Sequence, residues 1–252
     1  MTSVNDIFRF IDETAPFERQ ESWDNSGLLV GDLTRQVKKI AVVLDVNADT
    51  ANQAIEKGVD LIVSHHPIIF KPKKNFTADS LEYRLAVNNV SVISAHTCFD
   101  SADGGVNDVL CEILGLKNVY VLETADTFCP IVRVGETDGM TGEELAKKIA
   151  CVLGGKVTLA DSGKTIRTLA VCTGSGGDFA AEIAEKQIDA YLTGEASYHT
   201  VCDAKDMGLT VICAGHFETE KPAMKSLENR IKERFADVGI VEIDETCPFK
   251  YF

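Results

Sequence analysis

The sequence contains no closely spaced pair of cysteines. Its eight cysteines are scattered singly, mostly inside apolar runs, and no C-x-x-C motif occurs among them. Structural zinc sites usually take their thiolates from closely spaced cysteines, so this spacing argues against such a site. The pattern is typical of buried, reduced thiols and predicts a cytoplasmic protein.

The chain also lacks long apolar runs and has fewer basic than acidic residues. No stretch approaches the roughly 18 apolar residues of a membrane-spanning helix. The N-terminal segment, MTSVNDIFRFIDETAPFERQ, carries acids within its apolar stretch, unlike a signal peptide. The formal net charge of −14 disfavours nucleic acid and anionic lipid as partners, because both require positive potential. We therefore expect neither membrane association nor nucleic-acid binding.

Apolar runs alternate with helical patterns along most of the chain. The runs KIAVVLDV, VDLIVSHH and VSVISAHT predict buried strands, and ADTANQAIEKG predicts a helix between the first two. This alternation indicates βαβ units. Ser3 and Thr141 precede amphipathic segments as N-caps of two further helices. The predicted fold class is α/β with mostly parallel sheets.

The second half of the chain repeats the pattern of the first. The segment 169–195 aligns with 40–66 without a gap, and Asp189 aligns with Asp60. Such an internal repeat predicts two similar α/β/α halves. We expect a first domain of residues 1–125 with a C-terminal segment of about 225–252, and a second domain of residues 126–224.

All five histidines lie at or just beyond the ends of predicted strands. The carboxyl ends of parallel strands meet at one edge of a sheet, where ligands bind. Two of the motifs there, HTCFD and HFETE, each place an imidazole and a carboxylate four residues apart. Such a cluster without thiolates predicts a Zn, Mn or Fe site of the hydrolytic kind. The candidates are His65, His66, His96, Asp100, His216 and Glu220, while the roles of Glu195 and His199 stay open.

This donor set is larger than one catalytic zinc takes from a protein, which is three ligands. Two ions about 3.5 to 4 Å apart, bridged by a carboxylate and a water, use it naturally. Asp100, expected on a loop, or Glu220 could be that bridge. Pro222 prefers the first turn of a helix, so we expect the last helix to begin near Thr219, with His216 in the preceding loop.

Four motifs, WDNSGL, SHHP, HTCFD and GHFETE, resemble the signatures of the dinuclear-metal-centre proteins known as GTP cyclohydrolase 1 type 2 homologues. The resemblance spans nearly the whole chain. It implies two α/β/α domains, a homohexameric ring, and two divalent metals in a cleft between the domains. Carried over by motif, the implied ligands are His65, His66, Asp100, His216 and Glu220, with His96 beside the site.

The sequence departs from that family at two places. Relatives often have aspartate where this chain has Glu195, and longer relatives carry an inserted domain for which residues 125–168 are too few. The first departure leaves the role of the TGEASYH loop open. The second predicts that no extra domain is inserted between the two halves.

Hydrolysis is the expected chemistry, because a metal ion makes water a nucleophile at neutral pH. His96 would then transfer a proton. Lys71, in KPKK, and Gly176, in a strand-to-helix turn, are the predicted contacts for a phosphate group. The main hypothesis is a dinuclear metal-dependent hydrolase, GTP cyclohydrolase-like or acting on another nucleotide or phosphoester. The alternative is a metal-binding hexameric scaffold or regulatory protein without turnover.

Overall fold

The structure is a computed structural model that describes residues 1–125 and 128–250. The chain forms two compact units: unit 1 comprises Met1–Asp103 and the chain from Met224 onward, and unit 2 comprises Gly104–Ala223. The helices are α1 (Val4–Thr14), α2 (Ala48–Glu56), α3 (Leu81–Val87), α4 (Thr97–Ser101), α5 (Val106–Ile113), α6 (Gly142–Leu153), α7 (Ala180–Glu185), α8 (Tyr198–Asp206) and α9 (His216–Arg234). The strands are β1 (Gly27–Val30), β2 (Lys39–Val43), β3 (Leu61–Ser64), β4 (Ser91–Ser94), β5 (Lys117–Val121), β6 (Arg133–Met140), β7 (Thr158–Ala160), β8 (Ile166–Cys172), β9 (Ala190–Thr193), β10 (Thr210–Cys213) and β11 (Gly239–Ile240).

Unit 1 is built on a five-stranded sheet with the order β1-β4-β3-β2-β11. The four strands from β4 to β11 are parallel, and β1 runs antiparallel to β4. Every residue of β3 and β4 is buried, which explains why these strands read as continuous apolar runs. Val43 pairs with Ser64, and Ser64 pairs with Ser94. The segments after β2, β3 and β4 therefore leave the sheet at one edge.

Unit 2 has a six-stranded sheet with the order β5-β6-β8-β9-β10-β7. The strands β8, β9 and β10 are parallel to one another. The antiparallel pairs lie to either side of them: β6 with β8, β5 with β6, and β7 with β10. Both sheets thus have a parallel centre with antiparallel strands added, which confirms the predicted α/β fold class.

Two apolar cores cover the two faces of the unit 2 sheet. Leu169 and Val171 of β8 belong to one core, whereas Ala170 and Cys172 belong to the other, because successive side chains of a strand point to opposite faces. Residues of α5 and α6 pack in the first core, and residues of α7 and α8 pack in the second. The unit is therefore a three-layered helix–sheet–helix arrangement.

The two predicted N-caps are both present. Ser3 accepts a hydrogen bond from the backbone N–H of Asp6, whose carboxylate accepts from the N–H of Ser3. Thr141 and Glu144 form the same reciprocal pair at the start of α6. Each cap satisfies N–H groups that have no partner within their helix. The starts of α1 and α6 are thus fixed by local sequence.

The junction between the units lies at Asp103 and Gly104, earlier than the boundary expected at residue 125. The helix α5, just after the junction, belongs to unit 2 because Leu110, Cys111 and Leu114 are part of its core. The strand β5 pairs with β6 of the same unit. The sequence around α5 has the apolar spacing of a helix but carries no signal for which sheet it covers.

The longest helix, α9, has nineteen residues and is highly charged. Over the residues that the structure describes, no helix is both long enough and apolar enough to cross a membrane.

Candidate metal-binding site

Three histidines of unit 1 come together at the edge where β3 and β4 end. His65 and His66 come directly after β3, and His96 comes after β4 with one residue between. The ring centroids are 5.0 Å apart for His65 and His66, 5.1 Å for His65 and His96, and 5.6 Å for His66 and His96. One ring nitrogen of each lies within 4.8 Å of the others. These three nitrogens are close enough together to bind one metal ion.

Each of these imidazoles is held by its Nδ1 atom. The Nδ1 of His65 lies 2.9 Å from the backbone oxygen of Ala95. The Nδ1 of His66 lies 2.8 Å from Asp45 Oδ1, and that of His96 lies 2.9 Å from Asp24 Oδ1. A backbone oxygen and a carboxylate oxygen only accept hydrogen bonds, so each Nδ1 carries a proton, and Nε2 is the ring nitrogen left to bind a metal ion or a further proton. Metal-binding histidines are held and oriented in this way in proteins.

Asp24 ties His96 to the loop that precedes β1. Its side chain is fully enclosed, and its second oxygen accepts from the N–H of Thr97 at 3.0 Å and from the Thr97 hydroxyl at 2.6 Å. Burial raises the pKa of the Asp24 carboxyl, but the hydrogen bond and charge of His96 and the bonds from Thr97 outweigh it and hold this pKa well below its usual value. Asp24 is therefore an ionised carboxylate that orients His96.

Asp100 lies in the short helix α4 and not on the loop expected from the sequence. It is buried, and its Oδ1 lies 3.5 Å from His65 Nε2. The helix forms because the N–H groups of Phe99 and Asp100 both donate to the backbone oxygen of His96. This turn carries the carboxylate back towards His65, so the HTCFD motif brings its carboxylate into the histidine group.

In unit 2, His216 and Glu220 face each other on the first turns of α9. The helix begins at His216, so the expectation of a start near Thr219 was wrong. The N–H and the hydroxyl of Thr219 both donate to Gly215 oxygen, at 3.1 and 2.9 Å, which supports an earlier start, and Pro222 is accommodated in the second turn. Positions i and i+4 share one face of a helix, and His216 Nε2 lies 3.2 Å from Glu220 Oε2.

Glu195 holds His216 from the other side of the ring. Its Oε1 lies 2.9 Å from His216 Nδ1 and accepts from the Ser175 hydroxyl at 2.6 Å. These two hydrogen bonds, first that of His216 and then that of Ser175, lower the pKa of Glu195 against the opposing effect of burial. With Nδ1 donating to Glu195, the Nε2 lone pair of His216 faces the carboxylate of Glu220. Two electron-rich atoms at that distance are stabilised by a cation between them, either a proton or a metal ion.

Gly174 makes room for the Glu220 carboxylate. Its φ is +60°, and a Cβ atom there would lie 2.2 Å from Glu220 Oε1 and 3.2 Å from His216 Nε2. A side chain at this position would be strained by the left-handed backbone and would occupy the space of the donor pair. The glycine-rich loop after β8 thus serves the His216–Glu220 pair.

The other predicted residues lie elsewhere in their units. Gly176 is buried in a short 3₁₀ helix, Gly176–Phe179, and its backbone oxygen accepts from the Tyr191 hydroxyl. A Cβ atom at Gly176 would lie 2.6 Å from that hydroxyl oxygen, so close packing explains this glycine. Lys71 is exposed in the segment after β3, and His199 is exposed at the start of α8. A phosphate contact at Lys71 or Gly176 stays a prediction.

Asp24 and Asp45 were not among the predicted site residues. Asp45 lies just beyond β2, and Asp24 belongs to the WDNSGL motif. Asp45 could have been found from its place at the end of a strand beside the double histidine. Asp24 could not be assigned from spacing, because seventy-two residues separate it from His96.

Comparison with known proteins identifies a family over nearly the whole chain. The Duf34/NIF3 (NGG1p interacting factor 3) family matches residues 2–248. A "GTP cyclohydrolase 1 type 2 homolog" of Clostridium perfringens is 36% identical, covering 98% of this chain and 99% of the relative. One of the same name from Campylobacter jejuni is 32% identical over 99% of both chains. The resemblance noted from the motifs is thereby confirmed.

Two solved structures are similar to this fold. A hypothetical protein of Staphylococcus aureus superposes with a TM-score of 0.89 at 26% identity, over 99% of both chains. Reduced HcgD from Methanocaldococcus jannaschii has a TM-score of 0.87 at 30% identity, covering 97% of this chain and 98% of its own. The fold and the motifs therefore point to the same group of proteins.

Proposed function

The chain belongs to the Duf34/NIF3 family, and on that premise we propose that it is a hydrolase that depends on two divalent metal ions. The ligands in this proposal are His65, His66 and Asp100 of unit 1 and His216 and Glu220 of unit 2. His96, beside His65 and His66 in unit 1, is the proposed proton-transfer residue. The names of the relatives suggest a GTP cyclohydrolase-like reaction, or hydrolysis of another nucleotide or phosphoester.

One observation carries the proposal: three neighbouring imidazoles of unit 1 have their Nδ1 protons fixed by acceptors. His65, His66 and His96 donate to Ala95, Asp45 and Asp24 respectively. Histidines with a purely structural role need not bring one ring nitrogen each within 4.8 Å of the others, as these three do. A ligand set of imidazoles and carboxylates without thiolates suits Zn, Fe or Mn better than Mg or Ca.

The pairing of His216 with Glu220 extends the donor set in unit 2. Five ligands are too many for one catalytic ion with an open position, so the proposal assigns them to two. When bound, the ions would supply Lewis acidity for activating water and polarising the group attacked.

The protein's own residues would orient the histidines of the site and transfer a proton to the leaving group. Asp45 and Asp24 keep His66 and His96 in one tautomer, and Glu195 does the same for His216. Since Asp24 holds the Nδ1 of His96, Nε2 is the atom that would accept a proton and return it to a leaving group. Lys71 remains the proposed contact for a substrate phosphate, because acids outnumber cations in this chain and an exposed lysine would offset the negative field locally.

The first test is metal content of the purified protein loaded with Zn, Mn or Fe, measured by elemental analysis. We expect close to two ions per chain, and a loss of chiefly one ion in His66→Ala and in His216→Ala. The matched control is His199→Ala, which removes an exposed histidine outside both donor groups and should leave the metal content unchanged. A wild-type protein that binds no metal would contradict the proposal.

The second test is a turnover screen of the metal-loaded protein against GTP, other nucleotides and phosphoesters. The proposal expects hydrolysis by the wild type and His199→Ala, and none by His66→Ala. Two ions per chain with no turnover of any of these compounds would instead favour the metal-binding scaffold. The homohexameric ring and the cytoplasmic location stay predictions, and light scattering of the purified protein would test the first.

A further inference from the structure

Two exposed aromatic side chains flank His96 on unit 1. The exposed fraction is 57% for Trp23 and 46% for Phe70. Their ring centroids are 5.8 Å apart with planes at 59°. Each ring also meets the imidazole of His96 nearly edge to face, with centroids at 6.0 Å for Trp23 and 6.1 Å for Phe70. We call Trp23 and Phe70 the aromatic corner.

The two loops that carry the aromatic corner are fastened to each other. Asn25 Nδ2 donates to the backbone oxygen of Ile69 at 2.6 Å, which links the residues beside Trp23 and Phe70. The N–H of Ser26 donates to Gln20 at 2.6 Å, and the Ser26 hydroxyl accepts from the N–H of His96 at 3.0 Å. The corner is therefore preorganised, so little ordering entropy opposes binding of a ligand.

Cations come directly after the corner in the sequence. Lys71, Lys73 and Lys74 lie one, three and four residues after Phe70, and all are exposed. Lys73 is paired with the buried carboxylate of Glu82. For Lys71 and Lys74, no ion pair is found among the residues that the structure describes. In a chain with a net charge of −14, two such cations within four residues of the exposed ring of Phe70 favour a ligand that is both planar and anionic.

We propose that the aromatic corner binds the base of a mononucleotide, with its phosphate towards Lys71 and the reacting part of the molecule towards His96. The inference rests on the proposed function and specifies the substrate class of that site. Two mutually inclined rings offer a face for offset stacking and an edge for an edge-to-face contact, the arrangements that aromatic pairs prefer. A long nucleic acid is disfavoured as the occupant, because its many phosphates would meet the overall negative field.

The single tryptophan of the chain provides a direct test, since Trp23 fluorescence reports on the corner alone. The full-length protein is titrated with guanosine monophosphate, guanosine, ribose 5-phosphate and inorganic phosphate, with free tryptophan amide as the correction for absorbance. We expect saturable quenching by the first two compounds and none by ribose 5-phosphate or phosphate. Saturable quenching by a single-stranded RNA at much lower concentration than by the mononucleotide would overturn the assignment to mononucleotides.

Variants separate stacking from charge. Phe70→Ala should weaken binding of both guanosine and its monophosphate roughly tenfold, since stacking on an aromatic ring contributes about 1–3 kcal/mol. Lys71→Ala should weaken binding of the monophosphate severalfold and leave guanosine unchanged. The control Tyr198→Ala removes an exposed aromatic of unit 2 and should change neither. Circular dichroism confirms that each variant is folded, and equal affinities for Phe70→Ala and wild type would overturn the proposal.

The titration is repeated on chelator-treated protein, so that the corner is tested apart from the metals. Quenching that persists without metal and without turnover would support the aromatic corner while the proposed hydrolase fails. Bound metal and turnover with no quenching by guanosine or its monophosphate would leave the hydrolase standing and overturn the corner.

Discussion

The two compact units carry an aspartate that makes the same hydrogen bonds at the same place in the fold. In unit 1, Asp60 accepts from the N–H groups of Lys38 and Lys39 at 2.9 and 3.0 Å. In unit 2, Asp189 accepts from those of Arg167 and Thr168, both at 2.9 Å. Each carboxylate precedes the second strand of its βαβ unit and fastens the start of the first.

The strand register repeats as well. Val43 pairs with Ser64 in unit 1, and Cys172 pairs with Thr193 in unit 2, at the positions that the sequence repeat aligns. The N–H of the residue after the third strand then donates to the last residue of the second, at 2.9 Å from Ala95 to Ser64 and at 3.0 Å from Ala214 to Thr193. The internal repeat seen in the sequence is thus a repeat of backbone structure.

The units differ in the residues just beyond their strands. After β3 come two imidazoles, His65 and His66, whereas after β9 come Gly194 and Glu195. Glu195 occupies the place of His66 in the repeat and accepts a hydrogen bond from His216. It therefore orients a candidate metal ligand, whereas His66 is itself a candidate ligand. One framework therefore supports a group of three imidazoles in unit 1 and a single histidine–glutamate pair in unit 2.

The largest effect is expected from removing the shared aspartates. Asp60→Ala or Asp189→Ala leaves two backbone N–H groups without their charged acceptor, and hydrogen bonds to charged groups contribute about 1.5–3 kcal/mol. We expect each change to lower the free energy of unfolding by about 2 kcal/mol, as measured by urea denaturation.

The controls for this pair are Asn variants and a distant aspartate. Asp60→Asn and Asp189→Asn keep the acceptor oxygen and should lose less stability than the Ala variants. Asp79→Ala, at an exposed position of unit 1, should stay within about 0.5 kcal/mol of wild type. Unequal losses from the two Ala variants, with one near zero, would show that the repeat does not extend to its energetics.

An intermediate effect is expected at Gly174, the glycine that distinguishes the unit 2 loop. Gly174→Ala should strain the backbone by about 1–2 kcal/mol and displace the Glu220 carboxylate, weakening metal binding at least about tenfold. The control Gly163→Ala has a similar φ of +78° with no atom within 4 Å of the added Cβ. It should show the strain in urea denaturation but bind metal as the wild type does; equal metal affinity for both variants would contradict the role given to Gly174.

The smallest effect is a difference in thiol labelling. Burial, reinforced by nearby carboxylates, raises the pKa of Cys98 in unit 1 and of Cys111 in unit 2 to about 12, and alkylating agents react with thiolates. In native protein at neutral pH we expect the exposed Cys151 to be modified and these two to be protected, as read by mass spectrometry of peptides. Labelling of Cys98 alone before denaturation would show that unit 1 opens more readily than unit 2.

Much of the fold could be predicted because its signals are local. The Ser3 and Thr141 caps, the buried strands and the helix between β2 and β3 each depend on residues adjacent in sequence. The donor residues could be found for a related reason, since side chains just beyond parallel strands lie at one edge of a sheet. His65, His66 and His96 are brought together in this way.

The errors have equally specific causes. A start of α9 near Thr219 was expected from the preference of proline for a first turn, but Thr219 bonds back to Gly215 and the helix begins earlier. Asp100 was placed on a loop because five residues are too few to show helical periodicity. The assignment of α5 to the first domain failed for want of any sequence signal about the sheet that it covers.

The sequence by itself determined the fold class, the repeat and the residues able to bind metal, because these depend on periodicity and on the residue types at the end of each strand. Tertiary structure alone decided how the imidazoles are oriented. Asp24 and His96, or Ser175 and His216, are brought together by chain reversals across many residues. A hydrogen bond between such distant groups depends on the packing of whole elements, and no local pattern records it.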